Sequence, residues 1–205
     1  MTGSIEAALR SGAQDILGWP LTDDQAIQFL KYLQLLVKWQ KVQRLVGPGD
    51  PATILNDLLL DSLLFTRVLP PIAGRLMDLG SGAGLPGIPL SIVLPSIQVT
   101  LVEATQKRVS FLSTAIRELG LGAVQVMNSR AEKLPFELER SFDAVVMRCA
   151  GSLDSMIPLA ARFARPGGCV IASGPPVPEP LAQGVWTNVA RPGGGRARLF
   201  AVLKT

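Results

Sequence analysis

From residue 75 onward, short apolar runs alternate with amphipathic stretches. The runs at 75–79, 98–103, 123–127, 143–147 and 168–173 predict strands, with helices near 87–94, 106–119 and 153–164. Strands separated by helices predict βαβ units, a parallel sheet and an α/β fold. The last twenty-one residues break that rhythm. There "VWTNVA" and "RARLFAVLKT" flank "RPGGG", which predicts a terminal antiparallel hairpin. Upstream, residues 22–46 read as one long helix. Thr22 and Gln25 form a capping box, and Asp23 and Asp24 sit in the first turn. Ile27, Leu30, Leu33 and Val37 recur at helical spacing, with Leu36 and Trp39 widening the stripe, and Gly47-Pro48-Gly49 stops the helix. A second helix is expected over about 51–68, around "ILNDLLLDSLLF", closed by Pro70 and Pro71. Residues 1–70 are therefore expected to be a helical segment packed on the core, and 71–205 a nucleotide-binding domain.

Composition narrows the chemistry. The chain has 205 residues, 48% hydrophobic and 18% charged, as expected of a soluble globular protein. Its first residues lack a basic stretch followed by an apolar core, and no apolar run reaches the ~18 residues of a membrane span. Two cysteines, Cys149 and Cys169, are too few for a disulfide framework and suit a reducing cytoplasm. There is no histidine. That excludes a Ser-His-Asp triad and histidine base catalysis, and no metal is expected, since zinc would need unusual carboxylate-rich ligation. The net charge of +4 equals that of Arg191, Arg196, Arg198 and Lys204 at the end of the chain, so the rest balances. Such a basic end fits either a solvated sheet edge or a phosphate-binding surface.

The segment "LMDLGSGAGLPGIPL" carries the most chemistry. "GAGLPG" at 82–87 satisfies G-x-G-x-x-G, and Glu103 lies where a carboxylate can hold ribose hydroxyls. Alone, Gly82 and Gly84 admit a dinucleotide or S-adenosylmethionine (AdoMet). A Walker loop is excluded because no G-K-[ST] follows. Asp78, at the end of the preceding strand, resembles the acid of the class I AdoMet signature, which orients the methionine end of the cofactor. The turn after the third strand, with Ala131 and Glu132, is placed for the adenine. A closing hairpin is likewise the habit of class I methyltransferases, by fold-level analogy. The expected architecture is thus a Rossmann-like AdoMet-dependent methyltransferase sheet with a terminal antiparallel hairpin, behind an N-terminal helical segment. No [DN]-P-P-[FY] follows the fourth strand; "FDAVVMRCAGSL" puts Arg148 there, and Cys149 reads as a structural thiol.

Together, "DLGSGAGLPGIPLSIV", "KRVSFL", "SRAEKL", "FDAVVMRCAGSL" and "LLVKWQKVQRLVGP…LLLDSLL" resemble the RsmG (GidB) family of bacterial 16S rRNA guanine-N7 methyltransferases, over about residues 25–175. The resemblance implies AdoMet as cofactor and 16S rRNA or the small ribosomal subunit as partner, for a cytoplasmic monomer with no membrane or metal. It implies cofactor contacts at Gly80, Leu85, Ala131, Glu132 and Arg148, with Arg148 also positioning substrate and no general base. Arg130, Arg148 and Arg198 are implied to face RNA. The chain departs from the family pattern in three places: "RLV" at 44–46 stands for Asn-Leu-Thr, Leu58 for a histidine, and Ser173-Gly174 for Lys-Gly. Three other readings follow from the same residues: an AdoMet enzyme retargeted to another RNA or small molecule, a non-catalytic binder, and an NAD-dependent oxidoreductase.

Overall fold

The computed structural model describes residues 2–43, 45–47, 49–71, 74–148, 152–175, 178–192 and 195–205. Cys149, Arg44, Pro48 and Pro176 lie outside them. The strands are β1 (Arg75–Leu79), β2 (Gln98–Glu103), β3 (Val124–Asn128), β4 (Phe142–Arg148), β5 (Ala164–Ser173), β6 (Val185–Arg191) and β7 (Gly195–Lys204). They form one sheet in the order β3-β2-β1-β4-β5-β7-β6. The first five pair in parallel, and β7 enters antiparallel between β5 and β6. Strand alternation divides the core. Leu76, Val99, Leu101 and Val146 face one apolar cluster; Met77, Leu79, Val102, Val145 and Met147 face the other.

Helices α1 (Thr2–Leu17), α2 (Asp23–Gln43), α5 (Gly87–Val93) and α6 (Gln106–Leu119) cover the first face. The other face receives Ile157 and Ala160 of α7 (Leu153–Ala161). Between β3 and β4 the described chain has two 3-10 turns, Ala131–Lys133 and Phe136–Leu138, where a doubly wound fold ordinarily has a helix. No described helix is long and apolar enough to cross a membrane.

The expected capping box forms: Thr22 N–H donates to Gln25 Oε1 at 3.0 Å and Gln25 N–H to Thr22 Oγ1 at 3.2 Å. The apolar stripe of α2 packs as expected at Leu33 and Leu36, with Leu30, Val37 and Trp39 against the core, but its expected first member Ile27 points outward. Ala26, Phe29, Tyr32, Leu33 and Leu36 are buried, whereas Ile27 is 60% exposed. This helix carries apolar residues on adjoining faces, and the sheet side takes the one with the aromatic rings, where Tyr32 and Trp39 both pack on Phe111.

The expected helix over 51–68 is composite. Short α3 (Pro51–Thr53) leads into a π-helical segment, Ile54–Leu60, then α4 (Asp61–Leu63) and a 3-10 turn, Leu64–Arg67. Residues of 1–70 share an apolar cluster with the sheet, and Phe65 meets Phe200 of β7 edge-on at 4.7 Å.

Candidate functional site

Strand β1 delivers Asp78 and Leu79 to the C-terminal edge of the sheet, and the glycine-rich turn leads from there into α5. Gly82 adopts φ +58°, and a Cβ built there would approach nothing closer than 3.9 Å, so its outer face is open. Gly87 is the opposite case. A Cβ there would lie 2.4 Å from Leu101 and 2.7 Å from Asp78 Oδ2, so only glycine lets α5 press onto the strands.

Asp78 is fully buried beneath this turn. Its Oδ2 accepts Gly87 N–H at 2.9 Å, while Oδ1 has no partner among the described residues. Burial pushes its pKa up to about 7, against the opposing pull of the Gly87 N–H. From α2, the buried Tyr32 hydroxyl donates to Ala83 O at 2.5 Å, so the N-terminal helices support the turn directly. Burial raises the Tyr32 pKa well above its ordinary value, which keeps the proton on the donor.

Glu103, at the end of β2, is 5% exposed. One oxygen accepts Gly82 N–H at 2.9 Å and the other Thr105 N–H at 2.8 Å, with Arg108 3.7 Å from the first. Both oxygens keep further acceptor capacity, so the carboxylate is aimed while still able to take ligand hydroxyls. The end of β3 is tied to the same place: Asn128 Nδ2 and Ser129 N–H donate to Glu103 O, each at 3.1 Å.

These elements frame an open cleft of about 280 Å³. It is lined by Leu79, Gly80, Val102, Glu103, Ala104, Arg108, Ser129, Arg130, Ala131, Glu132 and Met156. Five residues singled out from sequence meet there: Gly80, Glu103, Arg130, Ala131 and Glu132. Gly84 and Leu85 are buried on the inner side of the turn. The groups fit AdoMet. An aimed carboxylate serves ribose hydroxyls, an open glycine face lets a ligand approach the backbone, and the unpartnered Asp78 Oδ1 puts an acid beneath the turn.

Arg148 and Arg198 do not line the cleft; they meet each other at the neighbouring part of the same sheet edge. Arg148 Nη1 donates to Leu58 O at 3.1 Å and Ser62 Oγ at 3.2 Å, and Nη2 donates to Asp57 O at 2.6 Å. Arg148 Nη2 and Arg198 Nη2 lie 3.1 Å and 3.0 Å from Asp61 Oδ2. Arg191 of β6 donates to Asn56 O. Successive carbonyls of the π-helical segment are thus taken by arginines from β4 and β6, and one carboxylate joins β4 to β7.

Sequence reasoning missed Tyr32, Asp61, Arg108, Ser129 and Met156, and it did not foresee that Arg191 bonds the 51–68 segment. Asp61 alone carried a signal, since a carboxylate inside a leucine-rich run needs a partner.

The family described as GidB, rRNA small subunit methyltransferase G, matches residues 25–174. The ribosomal RNA small subunit methyltransferase G of Xanthomonas campestris is 39% identical over 168 residues, covering 82% of this chain and 76% of that protein. The Sorangium cellulosum protein of the same name is 42% identical over 159 residues, covering 76% and 66%. Among solved structures, a SAM-dependent methyltransferase from Aquifex aeolicus shares the fold with a TM-score of 0.58. It is 17% identical and covers 80% of this chain and 97% of that one. The chain belongs to the rRNA small subunit methyltransferase G family and is an AdoMet-dependent methyltransferase.

Proposed function

We propose that the protein methylates N7 of a guanine in small-subunit (16S) rRNA. The observation that carries the cofactor half of this reading is the Glu103 carboxylate, fixed by Gly82 and Thr105 N–H groups at the mouth of the cleft. When bound, AdoMet supplies an electrophilic methyl group. Glu103 would hold its ribose, Ala131 and Glu132 its adenine, and the backbone at Gly80 its methionine end. Guanine N7 is an acceptor lone pair on the major-groove edge, so it attacks without first losing a proton. The residues need only position the two partners, and a chain without histidine is adequate to that task. Arg130, Arg148 and Arg198 supply the positive charge that meets RNA. Arg148 and Arg198 stand on a fixed frame, because both guanidinium groups pair with Asp61, leaving one net positive charge among the three.

The test is incubation with labelled AdoMet and small subunits lacking the modification, followed by mapping of the labelled nucleotide. Label at guanine N7 of the small-subunit RNA is the expected result. Label at another base atom, or bound cofactor without transfer, would refute the reading.

A further inference from the structure

A second cavity, of about 300 Å³, opens beside the cofactor cleft, where β5 ends and β6 begins. Its wall combines Leu153, Pro175, Leu181 and Trp186 with the carboxylate residues Asp154 and Glu179. The two openings are neighbours. Met156 lines the cofactor cleft and Leu153 and Asp154 this cavity, so the N-terminal half of α7 contributes to both.

The indole of Trp186 is fixed on two sides. Its Nε1–H donates to Glu179 O at 2.8 Å. Its ring lies so close to Gly174 that a Cβ there would come within 2.2 Å of it. Asp154 is fixed as well, since its Oδ1 accepts Ala182 N–H at 3.2 Å. The cavity therefore offers a rigid aromatic surface and two acceptor-only groups, next to the place where methyl transfer is proposed.

We propose that this cavity receives the acceptor guanine, with Trp186 stacking on the base and Asp154 and Glu179 accepting from N1–H and N2–H₂. The inference rests on the proposed methylation of rRNA. Guanine alone among the RNA bases sets N1–H beside an exocyclic amine on its Watson–Crick edge, so a pair of carboxylates selects it. Adenine would bring its N1 lone pair against a negative charge and be repelled. Holding that edge leaves N7, on the other side of the purine, unobstructed. An unstacked base is what such a cavity can take, and stacking on Trp186 offsets part of the cost of leaving the RNA stack.

The experiment compares small subunits reconstituted with guanine or with inosine at the acceptor position; inosine lacks only the exocyclic amine. Initial rates with labelled AdoMet are measured for the wild type, D154N, E179Q and W186F. The wild type is expected to favour guanine by about tenfold in kcat/KM, the size of one lost hydrogen bond to a charged group. That preference should collapse in D154N, in E179Q or in both. W186F, which keeps a smaller aromatic face, should slow both substrates by about the same factor and leave their ratio intact, a smaller loss than the roughly tenfold or more expected on loss of the ring. The ratio is internal to each variant, so a partly unfolded preparation still gives a reading. No guanine preference in the wild type, or an undiminished preference in both carboxylate variants, would overturn the proposal. A wild type that methylates neither substrate would instead overturn the rRNA reading, and this inference with it.

Discussion

Replacing Asp61 with alanine isolates the frame that carries Arg148 and Arg198. The Asp61 side chain is 9% exposed, and its partners are 15% and 27% exposed, so the three charges are largely withdrawn from water. Removing one member of a buried pair ordinarily costs about 3–5 kcal/mol, because the other charge is left uncompensated. Here the two arginines share the loss unequally. Arg148 retains its bonds to Leu58 O, Ser62 Oγ and Asp57 O, whereas Arg198 Nε is already buried without a partner, and its Nη2 loses Asp61. With Arg198 about a quarter in solvent, the low end applies, and we expect a loss of about 3 kcal/mol. For a chain of this length that corresponds to a fall of about 6–12 °C in Tm. Denaturant unfolding of D61A, R198M and the double variant measures it. R198M should cost appreciably in the wild-type background and little or nothing in D61A, since methionine removes the stranded charge and keeps most of the packing. A D61A loss below about 1 kcal/mol, or an R198M cost equal in both backgrounds, would refute the reasoning.

Three further outcomes follow from the site. Tyr32→Phe leaves Ala83 O without its donor in a buried place, so stability should fall by about 1–2 kcal/mol, and calorimetry should show weaker AdoMet binding; no change in either would disprove the support given to the turn. Asp78 has a folded pKa raised from 3.8 to about 7 by burial, so its contribution to stability is fully present below about pH 4 and is lost as pH rises through 7. The difference in stability between wild type and Asp78→Asn should therefore decline across that window; a flat difference from pH 4 to 8 contradicts the assignment. Gly174→Ala puts a Cβ into the Trp186 ring, so tryptophan fluorescence should shift and stability fall by about 1–3 kcal/mol; an unchanged spectrum tells against the packing described.

Much of the α/β core was legible because its strands are short apolar runs bounded by turn residues. β1 and β2 begin and end where expected, and α6 stops at Gly120, whose φ of +66° suits the left-handed cap. The stripe on α2 was legible at Leu33 and Leu36 but was extended to Ile27 instead of Ala26, Phe29 and Tyr32, because Ile27 satisfies helical spacing as well as they do. Only the position of Phe111 and the glycine-rich turn decides which face turns inward. The π-helical segment was illegible for a related reason. Its leucines read as an ordinary helix, while the arginines that take its carbonyls come from β4 and β6, far away in sequence. Within the cleft, local motifs announced Gly80, Glu103, Ala131 and Glu132. Tyr32 acts across the interface between α2 and the turn, and no neighbour in sequence marks it.

The sheet order sets a sequence of events during synthesis. β6 leaves the ribosome before β7 yet bonds only to β7 in the finished sheet, so it must wait, unpaired, until residues 195–204 follow. When β7 slides in beside β5 it also delivers Arg198 to Asp61, a residue made long before. Until then the nascent chain lacks the third member of its charge frame, and Arg148 of β4 is the partner available to Asp61. Closure of the sheet and the pairing of Asp61 with Arg198 are one event, and a chain cut short before β7 would lose both together.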